Sequence, residues 1–219
     1  MYKNYPEQLC QQLDVRGFIY DRSGYGKSPG DLSNRTLNYL EEASTDLHQI
    51  LTEHVKGPIV LYGHSDGGTI ALLYASKYPK NNLGIITEAA HVFVEDLTIQ
   101  GIKVAVKAFE NKKLDRLEQY HGRKYETTFW AWANTWLHPD FKYWNIERFL
   151  PQISVPQLII QGEHDQYATL EQVYSIQRHT QGVTTIFVPP CKHAPFKEKP
   201  ALILKKISQF IHTSILNNG

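Results

Sequence analysis

The sequence has little of several features that mark specialised classes of protein. Only two of its 219 residues are cysteines, Cys10 and Cys191, which excludes a disulfide-stabilised secreted scaffold. No apolar run approaches the ~20 residues of a membrane-spanning helix, and residues 1–6 lack the apolar core of a signal peptide. The net charge is only +1, so nothing favours binding to nucleic acid or to an anionic membrane. These absences predict a soluble, cytoplasmic protein.

What the chain does contain is an alternation of short apolar runs and amphipathic helical patterns. The runs that predict β-strands cover residues 15–20, 58–62, 83–87, 155–161 and 184–188. Helical periodicity is found at residues 6–13, 37–55, 66–78, 169–179 and 201–215. Strands that alternate with helices through short connections favour a mostly parallel sheet with helices on both faces, which is a three-layer α/β fold.

The alternation is interrupted between residues 89 and 150, where helical stretches rich in aromatic residues replace the strands. Phe129, Trp132 and Trp136 share one helical face there. We interpret this segment as a helical lid inserted between two parts of the core, residues 1–88 and 151–219. The alternative is an all-helical subdomain that completes the core.

The most specific motif is Gly63-His64-Ser65-Asp66-Gly67, which lies between a predicted strand and a predicted helix. This is the pattern G-x-S-x-G of a nucleophile elbow, a tight turn with glycines on both sides that exposes the serine hydroxyl. The alternative is a plain strand-to-helix turn in which Ser65 caps the helix. A serine is a weak nucleophile by itself, so the motif requires a base and an acid elsewhere in the chain.

The other two groups are expected in loops that follow strands, because active sites of open parallel sheets lie beyond the carboxyl ends of the strands. Two such loops contain Asp165, with Glu163 as a rival acid, and His193. His193 would take the proton of Ser65, and Asp165 would orient the imidazole. His64 and His164 belong to no metal-binding motif, so no metal is expected.

Five residues are candidates for binding the substrate or its transition state. The backbone N–H of Asp66 would donate to the oxyanion, and its carboxylate would either bind a substrate ammonium group or cap the helix. His91 and Phe93 follow a strand and are expected at the rim of the cleft. Trp132 and Trp136 would roof an apolar pocket, although a role in the lid core explains them equally well.

These motifs, taken in order, resemble the α/β-hydrolase superfamily, and most of all its valacyclovir hydrolase-like (biphenyl hydrolase-like) serine hydrolases. The residues that carry the resemblance are Tyr20 to Ser28, Gly63 to Gly68, Gly162 to Asp165 and Cys191 to Pro195. In this superfamily further strands precede the region that matches residues 15–20, and a loop after them supplies the second oxyanion donor. The resemblance therefore implies that the N-terminal strands and the oxyanion loop are absent from this chain. The sheet would then close the gap or borrow a strand from a second copy in a homodimer.

The resemblance also implies an activity, which is hydrolysis of a small carboxylic ester or amide through an acyl-enzyme, with no cofactor. An oxyanion hole short of one donor would impair this activity by about 10²–10³ in rate. Two alternatives remain open. In the first, Ser65, Asp165 and His193 catalyse C–C bond hydrolysis, perhalogenation or acyl transfer instead. In the second, the chain is a non-catalytic, truncated remnant.

Overall fold

The computed structural model, which describes residues 2–33 and 35–216, contains a parallel sheet covered by helices. Its four strands are β1 Ile59–His64, β2 Asn82–Glu88, β3 Gln157–Ile160 and β4 Thr184–Phe187. Neighbours in the sheet are also neighbours in the chain, and every pair is parallel. The predicted α/β fold is therefore confirmed.

The helices largely follow the predicted pattern, with ends that differ by a few residues. The α-helices are α1 Tyr5–Leu13, α2 Tyr39–His54, α3 Asp66–Lys77, α4 Asp96–Glu110, α5 Glu118–His121, α6 Tyr125–Trp136, α7 Glu171–His179, α8 Pro195–Glu198 and α9 Pro200–Phe210. Four 3-10 turns cover Asp115–Leu117, Gly122–Lys124, Pro139–Tyr143 and Glu147–Gln152, and a π-helix covers Ile211–Leu216. None of the helices within the described ranges is long and apolar enough to cross a membrane.

Alternate residues of the strands divide the apolar core into two layers, because successive side chains of a strand point to opposite faces. Ile85 and Ile159 pack on one face with the apolar residues of α2 and α3. Leu158 and Ile160 pack on the other face with those of α1 and α9. The sheet is therefore enclosed on both sides, as the alternation of strands and helices predicted.

The strand predicted over residues 15–20 is wrong. These residues follow α1 without regular structure, and the side chains of Val15 and Ile19 are 49% and 63% exposed. The ring of Phe18 stacks on that of His54 at a centroid distance of 5.9 Å. An extended run becomes a strand only where it pairs with another strand. Residues 15–20 do not pair with β1, which is the border strand of the described sheet. The described sheet therefore has no gap between these two segments.

The helical segment between β2 and β3 packs directly on the sheet layer. The rings of Phe109 in α4 and Phe129 in α6 are stacked at 3.9 Å. Phe129, Phe141 and Leu150 belong to the same buried cluster as the residues of α3. The inner side of the segment is thus continuous with the core, as the alternative interpretation requires, and opening as a lid stays a prediction.

Candidate active site

Ser65 lies in the turn between β1 and α3, with φ +54° and ψ −123°. This backbone conformation is rare for a residue other than glycine and costs about 1–3 kcal/mol, so the surrounding structure must enforce it. A Cβ atom at Gly63 would lie 2.1 Å from the carbonyl oxygen of Gly67, whereas a Cβ at Gly67 would meet nothing within 4 Å. A Cβ at Gly68 would lie 2.9 Å from that of Ala90. Close packing therefore requires glycine at 63 rather than at both flanking positions.

The structure brings Ser65, His193 and Asp165 together. The Oγ atom of Ser65 is 3.1 Å from Nε2 of His193, and Nδ1 of the same ring is 2.9 and 2.8 Å from the two carboxylate oxygens of Asp165. A carboxylate only accepts hydrogen bonds, so Nδ1 carries the ring proton. Nε2 is then the unprotonated nitrogen, which accepts the hydrogen of the serine hydroxyl.

The Asp165 side chain is fully buried behind His193. It accepts hydrogen bonds from Nε2 of Gln161 at 2.6 Å and from the backbone N–H of Tyr167 at 2.8 Å. Burial alone raises its pKa, but the hydrogen bond and charge of His193, with the Tyr167 N–H, bring the pKa below its usual value. Asp165 therefore stays ionised. The side chain of the rival acid, Glu163, is 56% exposed, and its Oε2 atom lies 3.9 Å from Nε2 of His164 rather than beside His193.

The N–H of Asp66 is the first of α3, so no preceding carbonyl of the helix can accept its hydrogen. The next turn of the chain is closed by the N–H groups of Gly68 and Thr69, which both donate to the carbonyl of Ser65. The positive end of the helix dipole lies beside the serine. This arrangement suits a donor to an oxyanion.

The Asp66 carboxylate is held by three side chains that the sequence reasoning did not single out. Its Oδ2 atom is 3.3 Å from Nη2 of Arg22 and 3.4 Å from Nη2 of Arg35. The hydroxyl of Tyr39 donates to Oδ1 at 3.1 Å and accepts from Nε1–H of Trp136 at 2.9 Å. Arg22 belongs to the motif between residues 20 and 28, which was the available signal. Nothing in the sequence indicated Arg35 or Tyr39.

The other predicted binding residues differ in their burial and in their contacts. His91 is only 3% exposed, so the predicted position at the cleft rim is wrong; its Nε2 bonds the carbonyl of Tyr167 at 3.2 Å. Trp136 is also buried, and its ring lies edge-on to that of His91 at 5.2 Å. Phe93 is half-buried beside Asn145, and Trp132 is half-buried. In the described parts of the chain no three His, Cys, Asp or Glu side chains cluster as metal ligands do.

The sheet, the elbow and the three side chains at the strand ends define the α/β-hydrolase fold class. Residues 2–130, more than half of the chain, match the family described as "Serine aminopeptidase, S33" (Hydrolase_4). The chain therefore belongs to this family of the α/β-hydrolase superfamily.

Two curated relatives illustrate the range of similar proteins. The chain is 28% identical to Serine hydrolase BPHL of Homo sapiens over 183 residues, which are 80% of this chain and 62% of that protein. It is 22% identical to Monoglyceride lipase of Rattus norvegicus over 236 residues, 97% of this chain and 78% of that protein. The chain thus spans less than two thirds of the human relative's length.

Solved structures share the fold at low sequence identity. VinJ superposes with a TM-score of 0.71 at 19% identity, covering 98% of this chain and 86% of that chain. A thermophilic esterase from Thermogutta terrifontis superposes with a TM-score of 0.67 at 18% identity, covering 97% and 86%.

Proposed function

We propose that the protein is a serine hydrolase that cleaves a small carboxylic ester or amide through an acyl-enzyme. One observation carries the proposal, which is the chain of hydrogen bonds from Ser65 Oγ through the ring of His193 to Asp165. The ring has its unprotonated nitrogen toward the hydroxyl and its N–H toward a buried carboxylate. This is the arrangement that activates a serine at neutral pH.

The reaction would proceed in two halves. Ser65 Oγ attacks the carbonyl carbon while His193 Nε2 takes the hydroxyl proton, and the carbonyl oxygen becomes an oxyanion beside the Asp66 N–H. His193 then gives the proton to the departing alcohol or amine, which leaves an acyl group on Ser65. Water, deprotonated by the same nitrogen, attacks this ester and releases the acid. Asp165 stabilises the imidazolium in both halves without being protonated.

The rate would depend on the number of oxyanion donors. Removing one donor from such a site costs about 10²–10³ in kcat. The Asp66 N–H is the donor that the elbow itself contributes. We therefore expect slow turnover if this N–H acts alone, with acylation of Ser65 as the more sensitive measure of the site.

The relatives and the charge around Asp66 indicate a substrate class. One relative is the Monoglyceride lipase described above. Another is a Proline iminopeptidase from Saccharolobus solfataricus, 24% identical over 239 residues, which are 90% of this chain and 76% of that protein. We therefore include both esters and amides among the proposed substrates. Two guanidinium groups share the Asp66 carboxylate, which disfavours binding of a substrate ammonium group there. We therefore propose a substrate with a neutral acyl group, for which Phe93, Trp132 and Trp136 remain the predicted contacts.

Labelling with a fluorophosphonate probe tests the proposal. We expect the wild-type protein to be labelled on Ser65, and Ser65→Ala and His193→Ala to lose the label. Ser23→Ala is the matched control, since its hydroxyl lies in an exposed loop, bonded to the Pro29 carbonyl at 3.4 Å. A folded wild-type protein that takes no label, or a Ser65→Ala protein that still takes it, would contradict the assignment.

A further inference from the structure

His64, the residue between the first glycine and the serine of the elbow, contacts the main chain of His193. It is the last residue of β1, and its Nε2 atom lies 2.7 Å from the carbonyl oxygen of His193. A carbonyl oxygen only accepts, so this ring nitrogen carries a hydrogen and donates it. The residue next to the nucleophile is thereby bonded to the backbone of the base.

The surroundings of His64 keep its ring neutral. Burial, followed by the nearby charge of His193, lowers its pKa to about 3. The ring lies edge-on to that of His193 at 5.0 Å and to that of Phe196 at 5.2 Å. The donor is therefore present throughout the working pH range, and it adds no second positive charge beside the imidazolium that forms during the reaction.

The loop that contains His193 has other anchors, but they hold its neighbours. The N–H of Phe196 donates to Oε2 of Glu88 at 2.9 Å. The N–H groups of Lys192 and Ala194 donate to the Glu198 carboxylate at 3.0 and 3.3 Å. In the described part of the chain, the bond from His64 is the only hydrogen bond that the main chain of His193 makes.

We propose that His64 is a positioning residue, whose Nε2–H fixes the main chain of His193 so that its imidazole stays in line with the Ser65 hydroxyl. The inference rests on the proposed function and deepens it. Without this bond the 3.1 Å contact between Ser65 Oγ and His193 Nε2 loses one of its supports. A misplacement of about 1 Å at a reacting group costs about 10² in rate.

The test compares His64→Gln with His64→Asn. The longer glutamine amide reaches the place of Nε2 and donates to the same carbonyl, whereas the asparagine amide ends near the place of Nδ1 and falls short. We expect His64→Asn to lower the acylation rate and kcat for a short-chain p-nitrophenyl ester by up to about 10², with KM little changed. His64→Gln is expected to stay within about threefold of wild type. A role in packing alone would lower the stability of the variants rather than kcat at an unchanged KM.

Ser76→Ala is the matched control, because it removes a partly buried hydrogen bond near the end of α3, eleven residues after Ser65, without touching His193 or its loop. It is expected to leave kcat and the labelling rate near wild type. Equal acylation rates for folded His64→Asn and wild type, or a His64→Gln protein as slow as His64→Asn, would overturn the positioning role. If wild type itself takes no fluorophosphonate label, the proposed function fails first, so the two failures are distinguishable.

Discussion

The buried carboxyl group of Glu88 predicts a measurable dependence of stability on pH. Glu88 ends β2, and its side chain is inaccessible to solvent. The hydroxyl of Tyr62 donates to one carboxyl oxygen at 2.6 Å and the N–H of Phe196 to the other at 2.9 Å. Burial raises the pKa of Glu88 from 4.5 to about 7, and the two donors only partly oppose this rise. The change to be made is Glu88→Gln, which keeps the shape and cannot ionise.

The direction of the effect follows from proton binding. Between pH 4.5 and about 7 the folded protein holds a proton on Glu88 that the unfolded chain has released. The free energy of unfolding must therefore fall as the pH rises through this window. The stability contribution is fully present below pH 4.5 and is lost above about pH 7. At 1.36 kcal/mol per pH unit, the whole loss amounts to about 3 kcal/mol.

Urea unfolding at pH 5, 6, 7 and 8 measures this loss. The difference between wild type and Glu88→Gln cancels the contributions of the other titrating groups, and we expect it to move by about 3 kcal/mol in favour of the variant. Glu110→Gln is the control, because that glutamate is exposed on α4, and its difference from wild type should not change. A Glu88→Gln difference that is flat with pH, or that moves in favour of wild type, would refute the buried-acid argument.

Three further predictions concern the site and its surroundings. Asp165→Asn should lower kcat by about 10⁴ with the fold intact, because the amide favours the wrong imidazole tautomer; esterase assays and circular dichroism check both parts. Gly63→Ala should lower the unfolding free energy by about 1–3 kcal/mol through overpacking, whereas Gly67→Ala, which meets nothing within 4 Å, should change it far less in the same urea titration. Tyr39→Phe leaves the buried Nε1–H of Trp136 without its acceptor, at a cost of about 1–3 kcal/mol; thermal unfolding should show the loss.

Much of the fold was predictable because its signals are local. An apolar run followed by a glycine-rich turn and a helical pattern specified β1, Ser65 and α3 without reference to distant residues. Asp165 and His193 were also predictable, since the carboxyl ends of parallel strands meet at one edge of the sheet. The strand at residues 15–20 was wrong because pairing, and not local preference, decides whether an extended run becomes a strand.

The surroundings of Asp66 were not predictable in the same way. Its partners Arg22, Arg35 and Tyr39 come from a loop and from the start of α2, at separations of 44, 31 and 27 residues. The order and direction of the strands do not determine where the side chains of such loops lie. The sequence left open whether the Asp66 carboxylate binds a substrate ammonium group or caps the helix, and only the fold shows that two guanidinium groups share it.

Glu88 joins the two halves of the candidate site through its backbone and its side chain. Its carbonyl oxygen accepts the N–H of Ser65 at 2.8 Å, and its carboxyl group accepts the N–H of Phe196, three residues after His193. His64, its register partner on β1, bonds the carbonyl of His193 from the other side. The ends of two adjacent strands thus hold both the nucleophile and the base. Because a helix or loop shift would have to break contacts at both strand ends, the strained backbone of Ser65 persists where a free turn would relax.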